Sequence, residues 1–135
     1  MVNLAVDDNA KLRASDIEFK LPQPSYTVNT LAHLREKYPT HHFSLIMGED
    51  NLKSFHKWKN FEVILERHDL YIYPRISEGI IETQFSNHQQ ITKVAAPIVE
   101  ISSSFIRKSI QDEKSIRPLL PQNVWQYIDE MNFYK

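Results

Sequence analysis

Short strand-like runs alternate with helix-like ones along most of this chain, and that alternation restricts its fold more than any other feature. His42-Phe43-Ser44-Leu45-Ile46-Met47 is an apolar run ending at Gly48, Leu70-Tyr71-Ile72-Tyr73 is stopped by Pro74, and Ile91 to Val94 precedes Ala95-Ala96-Pro97. Ile98 to Ile101 is a second candidate strand beyond that proline. Between and around these runs the period changes to that of a helix. Val28, Leu31, Ala32 and Leu34 follow i, i+3, i+4 spacing after a cap at Ser25 or Thr27, and Pro39 ends the segment. Asn60 is placed to cap a helix over Phe61 to His68. Further helices are expected over about Ser103 to Gln111, and over Gln122 to Asn132 with Val124, Trp125, Ile128 and Met131 on one side. Strands separated by helices predict an α/β architecture with a mostly parallel sheet.

The remaining segments are read less regularly. Met1 to Val6 is an apolar turn or helix end stopped by Asp7-Asp8-Asn9, and Ile17 and Phe19 alternate with Asp16 and Glu18 as in a short strand. LPQPS is a rigid connector, because its two prolines supply no N–H and fix φ. Residues 75–90 read as a loop. At 135 residues the chain is expected to be a single domain. A net charge of −1 gives no global case for nucleic acid or anionic membrane as a partner. The absence of cysteine excludes disulfides and thiolate chemistry. No apolar run approaches the length that crosses a bilayer, and the start lacks a basic-then-apolar leader, so a cytoplasmic protein is the default.

In an open parallel sheet, ligands bind beyond the carboxyl ends of the strands. Gly48-Glu49-Asp50-Asn51, Pro74-Arg75 and Ser102-Ser103-Ser104 each hold such a position. A helix starting near Ser103 puts Ser104 and Arg107 on one face, with Phe105, Ile106 and Ile110 turned toward the core. Its N-terminal N–H groups, a hydroxyl and a guanidinium could bind phosphate. A capped helix whose Arg107 reaches solvent is the plainer reading of this segment alone. Gly48 would let a ligand approach the backbone and Asp50 could accept from ribose hydroxyls, and an Asp/Asn-rich turn reads equally from the same residues. Trp58 suits either the core or stacking on a planar ring. Lys53, Lys57 and Lys59 are read as a solvated face. The histidines offer no metal spacing: His41 and His42 are adjacent and point apart, and the others lack a paired ligand. Only two glycines occur, where average usage gives about nine, so no glycine-rich phosphate loop can be drawn from this chain.

PSYTVNTL (24–31), LIMGEDNLKSFHKW (45–58), YPR (73–75) and ISSSFIR (101–107) together resemble the bacterial nicotinate-nucleotide adenylyltransferase family, of the nucleotidyltransferase α/β superfamily. The four segments stand in the family's order and cover nearly the whole chain. ISSSFIR is similar to the superfamily's ISSTxIR, with Ser104 in place of threonine. The resemblance implies a Rossmann-like nucleotidyltransferase fold and adenylyl transfer from ATP to nicotinate mononucleotide, giving deamido-NAD and pyrophosphate, with Mg2+ carried on the triphosphate. It implies that Tyr26 and Thr27 hold the nicotinate carboxylate, Trp58 stacks on the pyridine ring and Asn51 lines the mononucleotide side. Gly48 and Asp50 would line the ATP side, with Asp50 near ribose, and Ser103, Ser104, Ile106 and Arg107 would lie on the ATP phosphates. PSYT and the HKW tryptophan assign the chain to the nicotinate branch rather than to a sister enzyme acting on pantetheine phosphate.

The departure from the family lies at the front. Family members open with a strand and a GGxFxPxHxGH loop whose histidines stabilise the transition state, and nothing here matches it. By that analogy one strand–helix–strand–helix unit of about 50–60 residues is missing, together with its strands. No catalytic residue is therefore assigned in this chain, and its transfer activity is expected to be impaired. A non-catalytic nucleotide-binding or interaction module is the other expectation. Exposed sheet edges would also favour a homo-oligomer.

Overall fold

The computed structural model describes residues 1–6, 9–74, 84, 85 and 87–135. Its described chain divides into two compact units, residues 17–100 on one hand and 1–16 with 101–135 on the other.

The first unit is an α/β layer. Helix α1 (Val2–Val6) belongs to the other unit, so the first long helix here is α2 (Thr27–Lys37), followed by strand β1 (Leu45–Gly48), helix α3 (Glu49–Ser54), helix α4 (Phe61–Arg67) and strands β2 (Leu70–Tyr73) and β3 (Ile91–Lys93). The strands form one parallel sheet in the order β1-β2-β3, with Leu45 beside Leu70 and Leu70 beside Ile91. This is the expected α/β, Rossmann-like arrangement: parallel neighbours need a crossover, and α3 and α4 supply the one between β1 and β2. All three strands end on the same side, so Gly48, Tyr73 and Lys93 mark the carboxyl edge of the sheet.

Alternation along the strands decides the core. Met47, Leu70 and Ile72 turn to the helical side and pack with Leu31, Leu52, Phe55, Ile64, Leu65 and Phe85. Each fully buried large side chain of this kind contributes about 1.5–3 kcal/mol, and Leu52, Phe55, Ile64 and Leu70 are completely buried. The opposite face is open. Ile46 is 79% exposed and its neighbour Tyr71 is also exposed. The run 42–47 is thus not a strand buried on both faces, because nothing among the described residues covers that second face.

Other expectations are corrected by the same structure. Residues 13–19 form no strand; Ile17–Lys20 is a 3-10 turn with Ile17 buried and Phe19 87% exposed. The Glu18 carbonyl accepts from the Leu21 N–H, and the prolines that follow supply no N–H to extend a ladder. Neither Ser25 nor Thr27 caps α2, since the helix starts at Thr27 and Tyr26 takes the cap position with no side-chain bond. Asn60 does precede α4 but in a left-handed conformation (φ 50°), and its carbonyl rather than its side chain accepts the Val63 N–H. Ile98 to Ile101 is irregular and exposed.

The second unit joins α1 with helix α5 (Ser103–Gln111) and helix α6 (Gln122–Glu130). Ile106, Ile110, Ile116, Val124 and Ile128 form its core, with Leu4, Trp125 and Phe133 packed on it. Ile106 and Ile110 are one turn apart and share the buried stripe, as expected. Phe105 is 52% exposed instead, because it lies a further 100° or so around the helix. Met131 is likewise exposed, past the end of α6.

Candidate functional site

Tyr26, Thr27 and Trp58 are brought together. They line one open cleft of ≈ 260 Å³ with Ser25, Lys57, Lys59 and Ile64. Whole small-molecule sites run to roughly 300–1,000 Å³, so this cleft suits a single ring and its substituent rather than an entire nucleotide. The local reasons are legible. Proline-rich LPQPS delivers Tyr26 in an extended conformation (φ −116°, ψ 140°) to the start of α2. The chain leaving α3 tightens into a 3-10 turn over Phe55–Lys57, and Trp58 closes it by donating its N–H to the Phe55 carbonyl at 2.9 Å.

The indole is held from below. Phe55 is fully buried and meets Trp58 edge to face, 5.3 Å between centroids, while Phe61 and Phe85 brace Phe55 in the same way. Edge-to-face aromatic contacts fix orientation beyond what area burial alone does. Trp58 remains half-buried, so part of it faces the cleft. Above, the Lys59 ammonium lies 4.3 Å from the centroid of the Tyr26 ring.

The carboxyl edge of the sheet carries the second group. Gly48 ends β1 and α3 begins at once, so Glu49, Asp50 and Asn51 form the first helical turn rather than an open polar turn. Asp50 and Asn51 are exposed there, whereas Glu49 is half-buried with its carboxylate 3.7 Å from the Lys93 ammonium. Tyr73 donates its hydroxyl to the Pro97 carbonyl and so ties the end of β2 to the segment after β3. Arg75, of the YPR segment, and most of the 75–90 loop lie outside the described residues.

The serine-rich segment sits in the other unit and divides its roles. Ser102 is the cap of α5: its hydroxyl accepts the Phe105 N–H at 3.1 Å. Ser103 and Ser104 are exposed in the first turn, and the Arg107 guanidinium donates to the Ser104 hydroxyl at 3.3 Å. The spacing that sequence suggested is therefore realised, with Ser104 and Arg107 on one face. Ile106 points into the core and its N–H is taken by the Ser102 carbonyl at 3.0 Å. Lys57 and Lys59, which the sequence pattern reads as a solvated face, line the cleft as well. The signal is their placement on either side of Trp58 in HKWKN.

No protein-family model matches the chain. Its similarity to individual proteins is high. It is 64% identical over all 135 residues to the "Probable nicotinate-nucleotide adenylyltransferase" of Flavobacterium psychrophilum, and 65% identical to that of Christiangramia forsetii, covering 70% of each. A third, from Cytophaga hutchinsonii, is 48% identical over 134 residues, 99% of this chain and 69% of that protein. The chain belongs to the nicotinate-nucleotide adenylyltransferase family. It spans 70% of the length of those first two family members, and the match to them covers all 135 of its residues. Among the described residues no helix of this family member is long and apolar enough to cross a membrane.

Proposed function

We propose that the chain serves NAD biosynthesis as a nicotinate-nucleotide adenylyltransferase, binding nicotinate mononucleotide through unit 17–100 and ATP phosphates through the serine–arginine turn of α5. The observation that carries the reading is the cleft in which Tyr26 and Thr27 meet Trp58. A planar pyridine ring stacks on the indole, and its carboxylate lies toward Thr27 and the start of α2, where unpaired N–H groups favour an anion. Asn51 and Asp50, on the exposed first turn of α3, take the ribose side, with Gly48 allowing close approach at the carboxyl edge of the sheet.

In the transfer, an oxygen of the mononucleotide phosphate attacks the α-phosphorus of ATP. The bond from that phosphorus to the β-phosphate bridging oxygen breaks, and pyrophosphate leaves with its electron pair. Such chemistry depends on holding two polyanions in line and neutralising charge. Ser103, Ser104 and Arg107 supply a hydroxyl pair and a fork for the leaving phosphates. Mg2+ enters on the triphosphate.

The 135 residues contain no GGxFxPxHxGH segment, so transfer by this chain alone is expected to be slow. Calorimetry with nicotinate mononucleotide and with MgATP, beside an assay for deamido-NAD, tests the reading. Binding of the mononucleotide with weak turnover is expected. If neither nucleotide binds, the reading fails, and turnover near the rate of a longer family member would overturn the expected impairment.

A further inference from the structure

The carbonyl end of α5 opens onto a cavity of ≈ 450 Å³ that lies wholly within the unit of residues 1–16 and 101–135. That volume falls within the roughly 300–1,000 Å³ of small-molecule sites. Its apolar wall is the half-buried indole of Trp125 on α6 and the buried Ile110 of α5. The rim is the turn that stops α5. Glu113 stands there in the left-handed region (φ 54°), where glycine is the usual residue, and the Lys114 N–H closes the turn on the Ser109 carbonyl at 2.8 Å. The turn is thereby fixed with a carboxylate on the cavity where glycine would leave none.

The charge of this rim is negative. Lys135 meets Asp129 Oδ1 at 2.8 Å, the Asp129 carbonyl at 3.5 Å and Asn132 Oδ1 at 3.2 Å, which engages all three of its N–H donors. Lys114 pairs with Asp112 at 3.0 Å. Glu113 lines the same cavity, and among the described residues its carboxylate has no ion-pair partner. The carbonyl end of the α5 dipole adds partial negative charge at the same place.

We propose that this cavity is a binding site for a small alkylammonium cation, its charged head against the Trp125 indole and the Glu113 carboxylate and its alkyl groups on Ile110. The face of an indole attracts an ammonium more strongly than any other side-chain ring, and the unpaired carboxylate and the helix end act in the same direction. An anion of equal size would face Glu113 and find both lysines already engaged. None of these residues belongs to the Tyr26–Trp58 cleft or to the Ser103–Arg107 turn, so the site stands apart from the mononucleotide reading.

Three probes of one shape separate charge from size: choline, the neutral 3,3-dimethylbutan-1-ol and the anionic 3,3-dimethylbutanoate. Trp58→Phe leaves Trp125 as the single tryptophan of the chain, so its fluorescence reports this cavity, with circular dichroism to check the fold. Choline should bind saturably and the alcohol about five- to tenfold more weakly, through loss of a cation–π contact and an exposed charge contact. The anion should bind weakest. Glu113→Gln should weaken choline about threefold and leave the alcohol unchanged, while Lys114→Met should tighten choline. Calorimetry with choline on wild type and on Trp125→Leu, which should lose the binding, gives a second reading that does not depend on the Trp58→Phe chain. Equal affinity for choline and the alcohol, a preference for the anion, or no saturable response to choline overturns the site.

Discussion

His68 Nδ1 lies 2.7 Å from the Phe43 carbonyl oxygen, joining the turn that leads into β2 to the chain that leads into β1. A carbonyl only accepts, so Nδ1 carries the proton and donates it. The histidine is buried, and two further contacts lie beside it: the Leu45 N–H donates to the Asp69 carbonyl at 2.8 Å, and His42 Nε2 meets Asp69 Oδ2 at 2.9 Å. Together they fix the register in which Leu45 faces Leu70.

Replacing His68 by leucine leaves the Phe43 carbonyl without its donor in a part-buried site. The expected cost is about 1–3 kcal/mol in urea unfolding, the usual penalty for an orphaned buried group. His68→Asn places an amide N–H near the position of Nδ1 and should recover most of it. Equal midpoints for wild type and His68→Leu would mean that the bond carries no net stability.

The serine triplet separates into structural and ligand-facing members. Ser102→Ala removes the hydroxyl that accepts the Phe105 N–H, and should cost about 1 kcal/mol of stability with nucleotide affinity unaltered in the remaining folded chain. Ser104→Ala and Arg107→Gln change exposed residues and should shift stability by less than about 0.5 kcal/mol. Arg107→Gln should weaken MgATP binding about tenfold through loss of the guanidinium fork. Thermal unfolding beside calorimetry gives both columns, and a stability loss from Arg107→Gln larger than that from Ser102→Ala would reverse the division.

Trp58 depends on Phe55 for its orientation. Trp58→Leu should reduce nicotinate mononucleotide affinity by about ten- to a hundredfold, since stacking of a base on an aromatic side chain is worth roughly 1–3 kcal/mol. Trp58→Phe keeps a π-face and should retain much of that. Phe55→Ala, by contrast, opens a cavity at a completely buried position and should cost about 3–5 kcal/mol of stability. Fluorescence titration of the mononucleotide would expose the error if Trp58→Leu bound as tightly as wild type.

These contrasts show where sequence carried the structure. Helix α5 follows its pattern from Ser103 to Gln111 because a cap, an i, i+4 apolar pair and a closing polar turn are all local. The strands at Leu45, Leu70 and Ile91 follow from β-branched and aromatic runs bounded by breakers. Residues 13–19 show the limit, since Ile17 and Phe19 alternate as in a strand but have no ladder to join. The cleft depends on convergence of the Tyr26 and Trp58 segments, which no local pattern encodes. PSYT and HKW were therefore recognisable as motifs, while the seat of Lys59 on Tyr26 was not. For the same reason the apolar character of 42–47 did not reveal that only one face of β1 is covered.

That open face supports the last prediction. A parallel sheet normally has both faces covered, yet Ile46 and Tyr71 lie side by side and exposed on strands β1 and β2. Among the described residues β1 pairs only with β2, so its outer edge adds unpaired backbone groups to the apolar patch. Such an edge templates association unless a charge interrupts it. The chain is therefore expected to self-associate in a concentration-dependent way. Ile46→Lys should suppress that association while changing unfolding stability by no more than about 0.5 kcal/mol, because the side chain is already in solvent. Sedimentation velocity across a concentration series reads the outcome, and wild type that stays monomeric throughout would show that the exposed face is not sticky enough to act.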